Sequence, residues 1–267
     1  MSQFKPMEDA SSFRRMAAAM WRSPSDPSIY GSMDVDATAS LAFLREHPSP
    51  TKLTITHLVA RAVALALREQ PELNAKVRFW GRLEQRQTID VFVTVATEGN
   101  RDLSGAKIDR ADEKSLVELA GAIADRASKI RKGEDASYKK SRSAFKQLPW
   151  WLARTATQLS DLLVNELHVD LGKHGMPTDP FGSAIVTSVG MFGIDSAFAP
   201  FVPLARCPML ILVPEIRPRP CAVGDRVEVR PVLRLCATFD HRIIDGAAAG
   251  RFAARLTQLF ARPDALA

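Results

Sequence analysis

The sequence predicts a mixed α/β domain, with helices laid against a largely antiparallel or mixed sheet. Three observations carry that expectation. Helix-period segments alternate with short β-branched runs through the first half of the chain. The final third is strand-rich. Neither a repeat of fixed period nor a long Gly/Ser/Pro linker divides the 267 residues. The 46% hydrophobic and 25% charged fractions are ordinary for a globular chain and leave enough apolar mass for a sizeable core.

The elements follow in order. Ser11 and Ser12 are placed to cap a helix with Phe13, Met16, Ala17 and Met20 on one face, ended by Pro24 and Pro27. Ile29 to Val35 reads as a strand, and Thr38 to Arg45 as a short helix stopped by Pro48 and Pro50. Thr54 or Thr56 opens a strongly periodic helix through Leu58, Val59, Ala62, Val63 and Leu67, which ends before Pro71. Val77 to Phe79 and Leu83 to Arg86 read as a hairpin about Gly81, and Ile89 to Ala96 as a strand. Asp112 is placed to cap a helix that uses Leu116, Leu119, Ile123 and Ala127 and runs to Gly133. Ala136 to Leu171 is a second helical stretch, broken at Pro149 and closed by Pro177 and Pro180. Strands are expected at Ala184 to Thr187, Met209 to Val213, Val227 to Val229 and Val232 to Phe239. A last helix from Ala247 to Phe260 packs through Phe252, Leu256, Leu259 and Phe260.

The formal charge of +6 is mildly basic and compatible with an anionic partner. No dense Lys/Arg block is interleaved with aromatics, which argues against nucleic acid. Cys207, Cys221 and Cys236 are too few and too widely spaced for a metal knuckle or a disulfide framework, so no bound metal is expected. The odd cysteine count and the polar N-terminus without an apolar h-region point to a reducing cytoplasm. The longest apolar run, Met209 to Val213, is far too short to span a bilayer.

The strongest local signal for chemistry is the run from Phe239 to Gly246. His241 sits where a buried strand is expected to end and a helix to begin, a rigid and electropositive junction suited to presenting a reactive side chain. An imidazole takes and returns a proton near neutral pH. On residue type alone a structural, hydrogen-bonded histidine is the commoner reading, and His47, His57, His168 and His174 carry less weight still. No Cys or His stands at metal-ligand spacing from His168 or His174. Asp245 is placed to orient or anchor neighbouring groups, and Gly246 permits a tight turn.

The segment Thr238 to Ala247 resembles the active-site signature D-H-R-x-x-D-G of the 2-oxo acid dehydrogenase (dihydrolipoamide) acyltransferases, with every fixed position present. Val186 to Gly193 resembles the T-I-S-N-L-G-M-F-G stretch of that family. Phe13 to Met16 through Asp34 to Asp36 is similar to its opening helix and first strand. Val95 to Gly99, followed by Asp112 to Leu116, is similar to the middle of its catalytic domain. These matches keep the family's order and cover most of the chain. The resemblance implies a chloramphenicol acetyltransferase-like mixed sheet flanked by helices, in a homotrimer or a multiple of trimers with active sites between subunits. It implies acyl transfer from an acyl thioester, between the thiols of coenzyme A and a lipoyl group. His241 would be the general base, Thr187 the hydroxyl donor to the oxyanion, and Asp245 a supporting residue that holds Arg14 or Arg15 of the opening region. Read from its own residue type, Thr187 is also an ordinary β-branched strand position.

The chain departs from the family pattern in three places. A polar stretch, Asn100 to Gly105, stands where the family has an apolar G-L-V-V-P-V strand, and Pro203 to Arg206 replaces its N-P-P-Q segment. An extra helical insertion occupies about residues 137–180. In it Leu148, Trp151, Leu152, Thr155, Leu159, Leu162 and Leu163 make an apolar stripe beside Lys139, Lys140, Arg142, Lys146 and Arg154. Trp151, Leu152, Leu159, Leu162 and Leu163 are expected to be buried against protein of the same or a neighbouring subunit. A membrane-surface or partner contact is the alternative, given Trp150 and Trp151 beside basic residues. No lipoyl or peripheral-subunit-binding domain is recognisable, so residues 1–267 read as a single catalytic domain. Its acyl carrier would be a lipoyl group on a separate chain, a carrier protein acting in trans, or a small thiol. A non-catalytic trimeric scaffold derived from the same fold is the competing function.

Overall fold

The computed structural model describes residues 26–96, 103–132, 149–169, 179–202 and 205–267. In chain order these form β1 (Ser28–Asp36), α1 (Thr38–Glu46), α2 (Ile55–Glu69), β2 (Ala75–Val77), β3 (Leu83–Gln85), β4 (Val91–Ala96), β5 (Leu103–Ile108), α3 (Leu116–Arg131), α4 (Trp150–Asp161), β6 (Ala184–Ser188), β7 (Met209–Val213), β8 (Arg217–Val223), β9 (Arg226–Asp240) and α5 (Gly246–Ala261). One seven-stranded sheet runs β1-β9-β7-β6-β4-β5, with β8 paired to β9. β6 is parallel to both β4 and β7, and the other pairings are antiparallel, so the sheet is mixed. β2 and β3 form a separate hairpin near Gly81, whose φ of 77° lies in the left-handed region that glycine adopts without strain.

The period-2 pattern of the strands decides which face each side chain meets. Val91, Val93, Ala184, Val186, Met209, Ile211, Val213, Leu233 and Leu235 join the core built with α2, α3 and α5, where Leu58, Leu67, Leu119, Phe252 and Phe260 are sealed from solvent. The alternate positions Ile185, Leu210, Leu212 and Cys236 form a smaller cluster on the other face, with Phe92, Phe181, Val189 and Phe201 packed against it. That second face carries Thr187, one of the candidate site residues.

Several expectations change. The cap of α3 is Ser115, not Asp112: Ser115 Oγ accepts from Glu118 N (3.2 Å) and the Glu118 carboxylate accepts from Ser115 N (2.8 Å). The carbonyl of Asp112 instead accepts from the buried Arg61 guanidinium at 2.9 Å. The polar stretch ending at Gly105 does not abolish the strand there, because Leu103–Ile108 pairs along β4. β8 is a strand that the sequence reading lacks. β9 is continuous where two strands are expected, with Pro231 in register with Pro218.

α4 begins directly after Pro149, as expected of a proline break, and continues as a π-helical turn over Leu162–Glu166. The predicted burial of its leucines fails within the chain: Leu159 is 54% exposed, and Leu152 and Leu162 are also exposed, while Val164 and Asn165 turn inward. Among the described residues, ion pairs dock this segment where the leucines do not. Arg78 Nε donates to Glu166 at 3.0 Å, Arg206 donates to Asp161 at 2.6 Å, and Arg206 also pairs with Glu166. The side chains of Trp150 and Trp151, the opening helix with Arg14 and Arg15, and His174 lie outside the described residues.

Candidate active site

His241 follows the last residue of β9 and is fixed by its own chain. Its backbone N–H donates to Pro27 O (2.9 Å), and that of Asp240 donates to Pro208 O (2.9 Å). Asp240 is buried. Its carboxylate accepts from Arg242 N (3.0 Å), Nε (2.9 Å) and Nη2 (2.6 Å), while its carbonyl accepts from Ile243 N and Ile244 N. The chain then turns over the fully buried Ile244 and enters α5, where Asp245 Oδ1 accepts from Ala248 N at 2.8 Å. Asp245 is thus an N-cap residue, and its φ/ψ are extended as a cap requires.

This turn favours one tautomer of the neutral His241 ring. Nδ1 lies 3.1 Å from Ile244 O. A carbonyl only accepts, so the contact is satisfied when Nδ1 carries the hydrogen, which leaves Nε2 with a free lone pair. The side chain is exposed, so Nε2 is open to an incoming donor.

Thr187 lies near the end of β6 on the sheet face away from the helices. Its Oγ1 is hydrogen-bonded to Thr94 Oγ1 of β4 at 2.7 Å. The following residues turn sharply. Val189 N donates to Val213 O at 3.0 Å. Gly190 sits so close to the Pro214 carbonyl that an added Cβ would stand 2.8 Å from its oxygen, and Gly193 has φ of 69°. Met191 and Phe192 are left exposed.

One chain does not bring His241 and Thr187 together. Thr187 is in register with Leu212, and Leu212 with Cys236, whereas His241 lies farther along, just past the C-terminal end of β9. Strand geometry separates their backbones by two inter-strand spacings of ~4.8 Å and about 16 Å along the strands.

The remaining candidates are structural. Burial pushes the His57 imidazole below its ordinary pKa, and its Nδ1 accepts from Thr54 N (3.2 Å) at the start of α2. His47 packs against Phe43, and His168 pairs with Glu84 at 3.3 Å. All three cysteines are unpaired, and burial pushes the Cys207 thiol up to about 12. Among the described residues no group of three or more His, Cys, Asp or Glu could hold a metal, and no helix is long and apolar enough to cross a membrane. Thr94 and the carbonyls of Ile244 and Pro27 are the site groups that sequence reading missed. Thr94 reads as one more β-branched strand residue until β4 is paired with β6.

Known proteins share both the sequence and the architecture. The chain is 27% identical over 256 residues to the lipoamide acyltransferase component of the branched-chain alpha-keto acid dehydrogenase complex of Bacillus subtilis, covering 92% of this chain and 50% of that protein. The chain spans about half the length, or less, of the curated relatives it matches. An Azotobacter vinelandii dihydrolipoamide acetyltransferase structure, determined to assess one serine, one histidine and one asparagine in catalysis, superposes with a TM-score of 0.67 at 25% identity. That match covers 91% of this chain and 84% of the other. Chloramphenicol acetyltransferase shares the fold, with a TM-score of 0.50 at 13% identity over 88% and 89% of the two chains. The family profile for the 2-oxoacid dehydrogenases acyltransferase catalytic domain matches residues 6–143 and 177–267. The chain belongs to the 2-oxoacid dehydrogenase acyltransferase family.

Proposed function

We propose that the protein is an acyltransferase that moves an acyl group between coenzyme A, or another acyl thioester, and a thiol acceptor. The observation that carries this reading is the 3.1 Å contact between His241 Nδ1 and Ile244 O on an exposed residue, which favours Nδ1–H and leaves Nε2 to accept a proton. Nε2 would take the proton of the attacking thiol. The sulfur would then form a bond to the thioester carbonyl carbon, leaving a tetrahedral oxyanion. The Thr187 hydroxyl would donate to that oxyanion as charge develops on it. Collapse breaks the original C–S bond, and the departing thiolate recovers the proton from Nε2. The Ile244 carbonyl favours the transient imidazolium by keeping the Nδ1–H hydrogen bond throughout.

The separation of His241 from Thr187 within one chain supports a site shared between copies, and hence a homotrimer or a multiple of trimers. Acyl acceptors of this reading are a lipoyl group on a separate chain, a carrier-protein thiol supplied in trans, or a small thiol. Asp245 acts through the loop, by capping α5 one residue after the Ile244 carbonyl that meets His241 Nδ1. The three unpaired cysteines support a reducing, cytoplasmic setting.

The test is a panel of acyl-coenzyme A donors against dihydrolipoamide and other thiols, with light scattering on the same sample. We expect transfer by a trimeric or larger assembly, and a Thr187→Ala variant whose turnover falls ~10²–10³-fold with little change in substrate binding. A stable folded monomer would overturn the site shared between copies, and a wild type inactive across the whole panel would leave the non-catalytic trimeric scaffold as the function.

A further inference from the structure

We propose that Thr94 is a positioning residue that aims the Thr187 hydroxyl at the developing oxyanion, an inference that rests on the acyl-transfer reading above. The parallel register sets Val93 of β4 beside Val186 of β6, which brings Thr94 beside Thr187 on the same face. Their hydroxyl oxygens are 2.7 Å apart, and Thr94 is taken as the donor. A threonine hydroxyl has one proton and two lone pairs. Once a lone pair of Thr187 receives the proton of Thr94, the proton of Thr187 is left to point away from β4, as an outward donor. Donation from Thr94 also polarises the Thr187 O–H, because hydrogen bonds in a chain strengthen one another.

The other flank of Thr94 is arranged to leave its hydroxyl to Thr187. The β5 residue in register with Thr94 is Gly105, which has no side chain to compete for the bond. The Phe92 ring fills the space that a side chain at 105 would occupy: an added Cβ would meet ring carbons at 2.2 Å. Phe92 is braced in turn by Phe181, ring to ring at 5.0 Å. An oxyanion donor works best when its direction is set before reaction, since no reorganisation is then needed as charge forms. The Thr94 hydroxyl supplies that direction and touches neither substrate nor the reacting atoms.

Thr94→Val keeps the shape and removes the hydroxyl, Thr94→Ser keeps the hydroxyl, and both would be assayed as the full-length assembly with coenzyme A thioester donors. Loss of one preorganising hydrogen bond should lower kcat of Thr94→Val ~5–10-fold while KM stays within about twofold and the melting temperature is unchanged. Thr94→Ser should recover wild-type kcat to within about twofold. In a Thr187→Ala background, Thr94→Val should cause no further loss, because its target hydroxyl is gone. Wild-type kcat in Thr94→Val, or an equal further loss in the Thr187→Ala background, would overturn the inference while leaving the acyltransferase intact. An inactive wild type would instead remove the acyl-transfer reading, and this inference with it.

Discussion

The two faces of the sheet are built from the same strands and to different ends. Under α2, α3 and α5, the side chains of Leu58, Leu67, Ile211, Leu233, Phe252 and Phe260 are apolar, large and sealed. On the other face Thr94, Thr187, Cys236 and Thr238 alternate with them. Cover there comes from loop segments such as Ala197 and Ala199, and Tyr30 and Phe198 meet edge to face at the surface, both exposed. A closed apolar face gains its free energy from area removed from water and from tight packing. The other face keeps half-buried hydroxyls at Thr94 and Thr187 and exposed rings at its edge. The contrast teaches that stability and chemistry are separable here by residue parity: one step along β4 or β6 passes from the core to the site.

That separation can be broken by experiment, and the largest effect is expected at His241. His241→Ala should lower acyl transfer ~10²–10⁴-fold, the usual contribution of a positioned general base, with an unchanged melting temperature. A large fall in melting temperature would place His241 on the structural side of the divide. Phe252→Ala is the mirror experiment: it should cost about 3–5 kcal/mol in denaturant unfolding, while activity per folded molecule is retained. Asp245→Ala sharpens the boundary, because Asp245 caps α5 and directly follows Ile244, whose carbonyl meets His241 Nδ1. We expect a loss of about 1 kcal/mol from the missing cap, together with a measurable fall in kcat, so that the two properties move together at this one position.

The smallest effect is a pH slope confined to the core side. Burial depresses the His57 pKa, and the neutral ring is the form whose Nδ1 can accept from Thr54 N. Between that lowered value and the unfolded value of ~6.5, the unfolded chain binds a proton that the folded chain refuses. Stability from this group is therefore present above about pH 6.5 and declines as pH falls below it. Denaturant midpoints at pH 7.5 and 5.5 should differ more in wild type than in His57→Gln; equal differences would remove His57 as the cause.

The fold class, the hairpin at Gly81, the long helices and the His241 loop were legible because each is written in local pattern: a period, a cap or a fixed motif. β8 was not, because Pro218 and Pro220 argue against a strand. It lies outside the main strand order, paired to β9, where a missing N–H is tolerated. β5 was hidden by Gly105 and Ser104, which look like loop and are admitted because Phe92 fills the space over the glycine. The Ser115–Glu118 capping box was present in the sequence and lost to Asp112, a residue of equal capping tendency one turn earlier. Thr94 was beyond reach, since its partner lies far along the chain and only strand pairing joins them.

The docking of α4 has a consequence for how the molecule comes apart. Its outward leucines contribute little burial to hold it, and its attachment concentrates on Glu166 and Asp161 against Arg78 and Arg206. Burial by itself would raise the Glu166 carboxyl, but hydrogen bonds from Phe79 N, Arg206 and Arg78 hold it below the usual carboxylate range. Stability held this way is present above the ordinary glutamate pKa and drains away as acid protonates the carboxylate. The segment is therefore expected to open as a separate cooperative unit: its amides should exchange with solvent through a private opening, well below the free energy that frees the sheet, and acid should widen the gap.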